Sequence, residues 1–187
     1  CGLLVIRVLR DWGAWIAATL VVAALMHIGS VYAVPPFIMH RVLAAMTSTA
    51  PFNTLRFGGQ PTAQSRGIVR PSPDLLYSVC PYDLAQANGA LRVRAIVPRG
   101  TYWSVSAFDM QTDNYYVRND RQTPSGTIDF LIIAPHAYIQ NNRLPVVVSP
   151  TNRGLVLFRT LINDEARLAD IDNARRRASC APYAPSE

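Results

Sequence analysis

Ala90–Phe108 reads ALRVRAIVPRGTYWSVSAF, and the period of this stretch decides the fold class. Leu91, Val93 and Ala95 fall on one face of an extended chain, with Arg92 and Arg94 on the other. After Pro98-Arg99-Gly100, Trp103, Val105 and Ala107 oppose Tyr102, Ser104 and Ser106. Side chains alternate across a strand with period two. Two alternating runs separated by proline and glycine therefore predict a hairpin. Working outward, further strands are expected over Leu75–Cys80, Tyr115–Arg118, Thr127–Ala134, Leu144–Ser149 and Gly154–Thr160, with a turn at Gln122–Gly126. Strands recurring at intervals of about ten residues argue for a sandwich or barrel. The sequence has no βαβ alternation, glycine-rich phosphate loop or internal repeat. Asn163–Arg177 reads as a closing helix, capped by Asn163 or Asp164. The tail Ala178–Glu187 reads as loose.

The other informative stretch is Trp12–Val34, WGAWIAATLVVAALMHIGSVYAV, which contains no Asp, Glu, Lys or Arg. As a helix it extends about 34 Å, enough for a hydrocarbon core of about 30 Å. Trp12 and Trp15 stand at one end and Tyr32 at the other, where amphipathic rings favour the interface. Pro35 and Pro36 are expected to stop the helix. The run is longer than a usual signal-peptide core, so an uncleaved signal anchor is expected. Arg7 and Arg10 precede the span, and Arg41 and Arg56 follow it, which points the N-terminus inward. Phe37–Met46 reads as a short interfacial helix, and Pro51–Val69 as an irregular linker. The expected architecture is thus mainly β, a single N-terminal transmembrane helix followed by a β-sandwich-like domain with a C-terminal helix. It divides into an anchor (1–34), an interfacial helix with linker (35–69) and a mostly β extracytoplasmic domain (70–187).

His27 is the only ionisable group in the span, with Ala23 one turn before it and Gly29 beside it. Small residues there admit close packing of another helix, or of a flat pigment or haem ligated by His27. The plainer alternative, and the expectation, is no cofactor and a neutral histidine hydrogen-bonded near the outer interface.

The net charge is +6, and all eighteen basic residues are arginine. They are scattered, with only Arg175–Arg176–Arg177 forming a run. A nucleic-acid footprint requires clustering on one face, so no nucleic-acid partner is expected. The three cysteines, Cys1, Cys80 and Cys180, lack zinc-site spacing. If the domain is exported, Cys80 and Cys180 form a disulfide or remain two separate thiols. Cys1 is either a lipidated cysteine or the start of a trimmed chain.

Three blocks carry a resemblance: Arg70–Ser78 (RPSPDLLYS), Gly100–Asp109 (GTYWSVSAFD) and Ser149–Leu161 (SPTNRGLVLFRTL). In this order they resemble the bacterial family called domain of unknown function 1254, over about Gly67–Arg177. Ser72 and Leu75 depart from the asparagine and threonine usual in the first block. The resemblance implies a β-sandwich-like fold and an exported protein, here in a short form without the second, 1214-type domain of longer members. It supplies no reaction.

Arg70, Asp74 and Tyr77 lie within eight residues on a loop stiffened by Pro71 and Pro73, and Asp109 ends a strand. One reading is a polar pocket for an anion or a carbohydrate-like ligand; the other is an ion pair that pins the loop to the sheet. No metal site is expected, since His136 is the only histidine beyond the membrane segment and its flanking helix. No G-x-S-x-G elbow is present either. The expected function is a non-catalytic accessory subunit, single-pass in a bacterial inner membrane. Its periplasmic domain would bind another membrane subunit, including a separate chain carrying the 1214-type fold. The alternative is a periplasmic enzyme or ligand-binding module using the Arg70/Asp74/Tyr77 pocket.

Overall fold

A computed structural model describes residues 2–65, 70–139 and 143–184, with side chains of the first helix described from Trp12 on. Cys1 lies outside the described residues. The chain packs as two units, Cys1–Ile38 and Met39–Glu187.

Helix α1 spans Gly2–Thr47 without a break. Trp12–Thr47 is long and apolar enough to cross a membrane, and its large apolar side chains from Trp12 to Ile38 are exposed. Pro35 and Pro36 lie inside the helix rather than at its end, which corrects the expected stop. Proline lacks the N–H that the preceding turn would accept, but its fixed φ is already helical. The turns that follow are held by tertiary packing. Met39 and Leu43 are buried. The Arg56 guanidinium donates to the carbonyls of Met46 and Ala50 and to Thr49 Oγ1 (3.2 Å). A cation on the last carbonyls of a helix satisfies orphan acceptors and complements the helix dipole.

The second unit is two sheets facing each other, not closed into a barrel. Its strands are β1 (Arg56–Phe57), β2 (Leu75–Asp83), β3 (Ala90–Ile96), β4 (Trp103–Phe108), β5 (Asn114–Asn119), β6 (Thr127–Ile133), β7 (Val146–Val148), β8 (Arg153–Leu161) and β9 (Ser179–Pro182). One sheet has the order β1-β2-β8-β4-β5 and the other β7-β6-β3-β9. The pairs are antiparallel except β6 with β7. The alternation read from the sequence is the burial pattern: Leu91, Val93 and Ala95 face inward from one sheet, and Trp103, Val105, Ala107, Val156 and Phe158 from the other. Tyr116 meets Phe130 across the core, with ring centroids 4.7 Å apart.

The expected hairpin of β3 with β4 does not form. β3 pairs with β6 and β9, and β4 with β8 and β5, so the 97–102 connection crosses between the sheets. Both strands carry an inward apolar face, and placing them in opposite sheets buries those faces against each other. Cys80 on β2 is bonded to Cys180 on β9, stapling the two sheets. That bond and pairing with β3 order part of the tail expected to be loose. The closing helix is shorter than read. A 3₁₀ turn at Glu165–Arg167, capped by Asp164 (Oδ1 accepting from Ala166 N, 2.9 Å), leads into α2 (Leu168–Arg175).

Candidate functional site

Of the four residues read as one polar pocket, Asp109 lies apart from the loop that carries Arg70, Asp74 and Tyr77. Asp74 precedes β2, whose Leu75 is opposite Leu161 of β8, whereas Asp109 follows Phe108, which is opposite Leu155. Six residues along β8 separate those positions by about 20 Å at the strand rise. Arg70 and Asp74 are exposed, and no ion pair joins Arg70 to Asp74 or Asp109 among the described residues. The Tyr77 hydroxyl accepts from Ser72 N (3.1 Å), a local loop bond.

The pin expected from Arg70 is supplied by Arg175. This side chain of α2 is buried and donates to Tyr77 O (2.8 Å), Gly58 O (2.9 Å), Ser78 Oγ (3.4 Å) and Asp172 Oδ1 (2.9 Å from Nε). Its guanidinium also stacks over Phe57. Burial would raise the Asp172 carboxyl, but hydrogen bonds from Arg176 and Arg175 outweigh it and hold the group below its ordinary range. The signal for this role was present. Arg175 falls four residues after Ile171, on the apolar stripe of the helix, unlike Arg176 and Arg177.

At the Phe108 end, Asp109 is buried and shapes a turn. Its Oδ1 accepts from Gln111 N (2.8 Å) and Asp113 N (3.0 Å). Beside it, the Tyr82 hydroxyl meets Tyr115 OH (2.9 Å), Ser149 Oγ (2.9 Å) and Phe108 O (3.3 Å), and Ser149 Oγ donates to Thr151 O (2.7 Å). Gly154 makes room for this network. A Cβ there would collide with Phe108 O and the Tyr82 hydroxyl. Burial pushes the Tyr82 phenol up, with Tyr115 adding to it, and pushes Tyr115 up as well. These hydroxyls stay protonated, and no histidine partners them; His136 is exposed on a left-handed turn (φ 61°). A hydrolytic nucleophile requires a positioned base, and Ser149 has none among the described residues. No group of three or more His, Cys, Asp or Glu suited to a metal occurs among the described residues.

On α1, Ala23, His27 and Gly29 are exposed, and a Cβ on Gly29 would meet nothing. Ala23 and His27, one turn apart, share a face open to a neighbouring helix or to lipid, and Gly29 lies on a different side of the helix.

A concavity lies at the other end of β4, near Trp103. It is a cleft of about 840 Å³ between the 97–102 loop and the 119–126 segment, closed on one side by Leu161 and Asn163. Both loops are built rigidly. Gly100 adopts φ 72°, a conformation that disfavours a side chain. Its carbonyl accepts from Asn163 Nδ2 (2.7 Å), while Arg99 O accepts from Arg167 Nη2 (2.8 Å). Across the cleft, Asn119 and Gln122 form a reciprocal capping box around a 3₁₀ turn at Asp120–Gln122. The sequence reading passed over this site because Arg99 and Arg121 are 22 positions apart and come together only through the loops.

The sequence matches the family model described as "Protein of unknown function (DUF1254)" over residues 52–182. No curated protein matches it. Among solved structures it is similar to the VPA0106 protein of Vibrio parahaemolyticus, with TM-score 0.65 and 14% identity, over 85% of this chain and 41% of that one. It also aligns with a putative uncharacterized protein of Burkholderia cenocepacia, with TM-score 0.47 and 15% identity, over 82% of this chain and 42% of that one. The chain thus spans less than half the length of either structure.

Proposed function

The chain belongs to the DUF1254 family, and from that premise we propose that it is a non-catalytic, membrane-anchored accessory subunit whose β domain binds a partner protein outside the cytoplasm. The observation that carries this reading is the apolar stretch of α1, whose large apolar side chains between Trp12 and Ile38 are exposed. An apolar surface of this extent requires lipid or another helix around it. A bacterial inner membrane supplies the first, and a subunit seated against the face of Ala23 and His27 the second. The Cys80–Cys180 bond supports a periplasmic domain, because such cross-links persist in oxidising compartments. The polar side chains at the Phe108 end are occupied in holding the fold, which favours a binding role over a reaction.

Purification in a mild detergent followed by native mass spectrometry tests the proposal. A second chain retained at fixed stoichiometry is the expected result; a lone monomer overturns it. Protease treatment of spheroplasts tests the topology. The domain should be cleaved before lysis, and cleavage only after lysis would put it inside.

A further inference from the structure

The cleft near Trp103 holds two positive charges that the fold leaves unused. Arg99 and Arg121 both line it, both are exposed, and neither guanidinium bonds to any described residue. The backbone under each is nevertheless held firmly. Arg99 O is fixed by Arg167, and Arg121 sits in the turn closed by Asn119 and Gln122. The remaining ionisable groups in the lining are Asp120, whose Oδ1 accepts from Trp103 N (3.5 Å), and the phenol of Tyr102. The charged lining is therefore two arginines against one aspartate, a net positive cleft. Tyr102 is 41% exposed and presents a ring face and a hydroxyl without a partner among the described residues.

We propose that this cleft binds a phosphate or carboxylate oxyanion carried on a hydroxylated, sugar-sized ligand. Guanidinium forks match such oxyanions in geometry and keep their charge at every physiological pH. The 840 Å³ volume is more than a bare phosphate fills and falls in the range of small-molecule sites. The lining loops are already braced by internal hydrogen bonds, so binding does not have to order them. A soluble sugar phosphate and the headgroup of an anionic lipid both present this chemistry.

The test uses the full chain in micelles of octaethylene glycol monododecyl ether, which carries neither charge nor sugar. Glucose 6-phosphate is titrated by calorimetry, with glucose as the uncharged control. Phosphatidylglycerol is added to the micelles in a parallel arm, and retained lipid is counted by native mass spectrometry. Arg99→Gln and Arg121→Gln should each weaken the bound probe about tenfold, the value of one charge-assisted hydrogen bond. Loss of glucose 6-phosphate binding assigns a soluble ligand, and loss of lipid retention assigns a headgroup; either result supports the site. The proposal is overturned if neither probe binds, if the double variant binds as the parent does, or if glucose binds as tightly as glucose 6-phosphate. Both arginines are exposed, so the variants should melt with the parent and a loss of binding is not a loss of fold.

Discussion

The two ends of the sandwich handle polar groups in opposite ways. At the Phe108 end, Tyr82, Tyr115, Ser149 and Asp109 turn their hydrogen-bonding groups toward one another and toward backbone, under a glycine that leaves no spare volume. At the Trp103 end, the polar side chains of the loops brace the backbone, while Arg99, Arg121 and Tyr102 face open space. Arg175 shows that this chain uses an arginine structurally when it needs to, with a buried guanidinium on two carbonyls and a carboxylate. Buried polar groups are costly unless paired, so the paired end is where stability resides. The unpaired end is where a ligand has something to gain.

Substitutions should separate the side chains that hold the fold, at the Phe108 end and around Arg175, from those that line the cleft, by size of effect. Arg175→Met strips the Tyr77 and Gly58 carbonyls and Asp172 of a buried donor, and should cost about 3–5 kcal/mol in urea unfolding. A cost below about 1 kcal/mol would mean that Arg175 is not the pin. Gly154→Ala forces a methyl group into the Phe108 carbonyl and the Tyr82 ring, and should cost about 2–3 kcal/mol. Tyr82→Phe removes one of the two hydroxyls that partner the half-buried Tyr115, while Ser149 keeps Thr151 O; about 1 kcal/mol is expected in thermal unfolding. Arg99→Gln and Arg121→Gln should move stability by less than about 0.5 kcal/mol, as surface changes do. A larger loss from them would erase the contrast between the ends.

A smaller effect concerns pH. The Arg92 hydrogen bonds (2.8 and 2.6 Å) hold Asp129 below its ordinary carboxyl range, against a modest opposing effect of burial. A carboxyl lowered on folding contributes stability that is full above its unfolded value and is lost as pH falls through its lowered native value. Arg92 is 43% exposed, so solvent screens the pair and the contribution is small. Asp129→Asn should therefore melt slightly below the parent at neutral pH and converge with it as pH falls below about 4, which gives the variant the shallower acid limb.

Much of the β architecture was legible because burial writes itself locally. Alternation marked β3 and β4, and apolar runs between turns marked β6 and β8, within a residue or two of their ends, and the long apolar run marked the helix. The helix end was misread at Pro35 and Pro36, where the local preference against helix lost to the packing of Met39 and Leu43 and to the Arg56 cap. β1 and β9 went unread because two or four residues carry no period; pairing partners and a disulfide make them strands. The candidate site was largely illegible. Arg70, Asp74, Tyr77 and Asp109 share a sequence neighbourhood or a family block, and neither implies a shared place in space.

By itself, then, the sequence determined an apolar helix long enough for a membrane, a β domain with a defined inward face, and membership of a family. These follow from composition and period, which act over a few residues at a time. Only the tertiary structure decided that β3 and β4 separate into opposite sheets, that Cys80 meets Cys180, and that Arg175 is spent while Arg99 and Arg121 are not. The reason is physical. Each of these depends on which surfaces are buried against each other, and a residue's charge or period does not say what will lie opposite it.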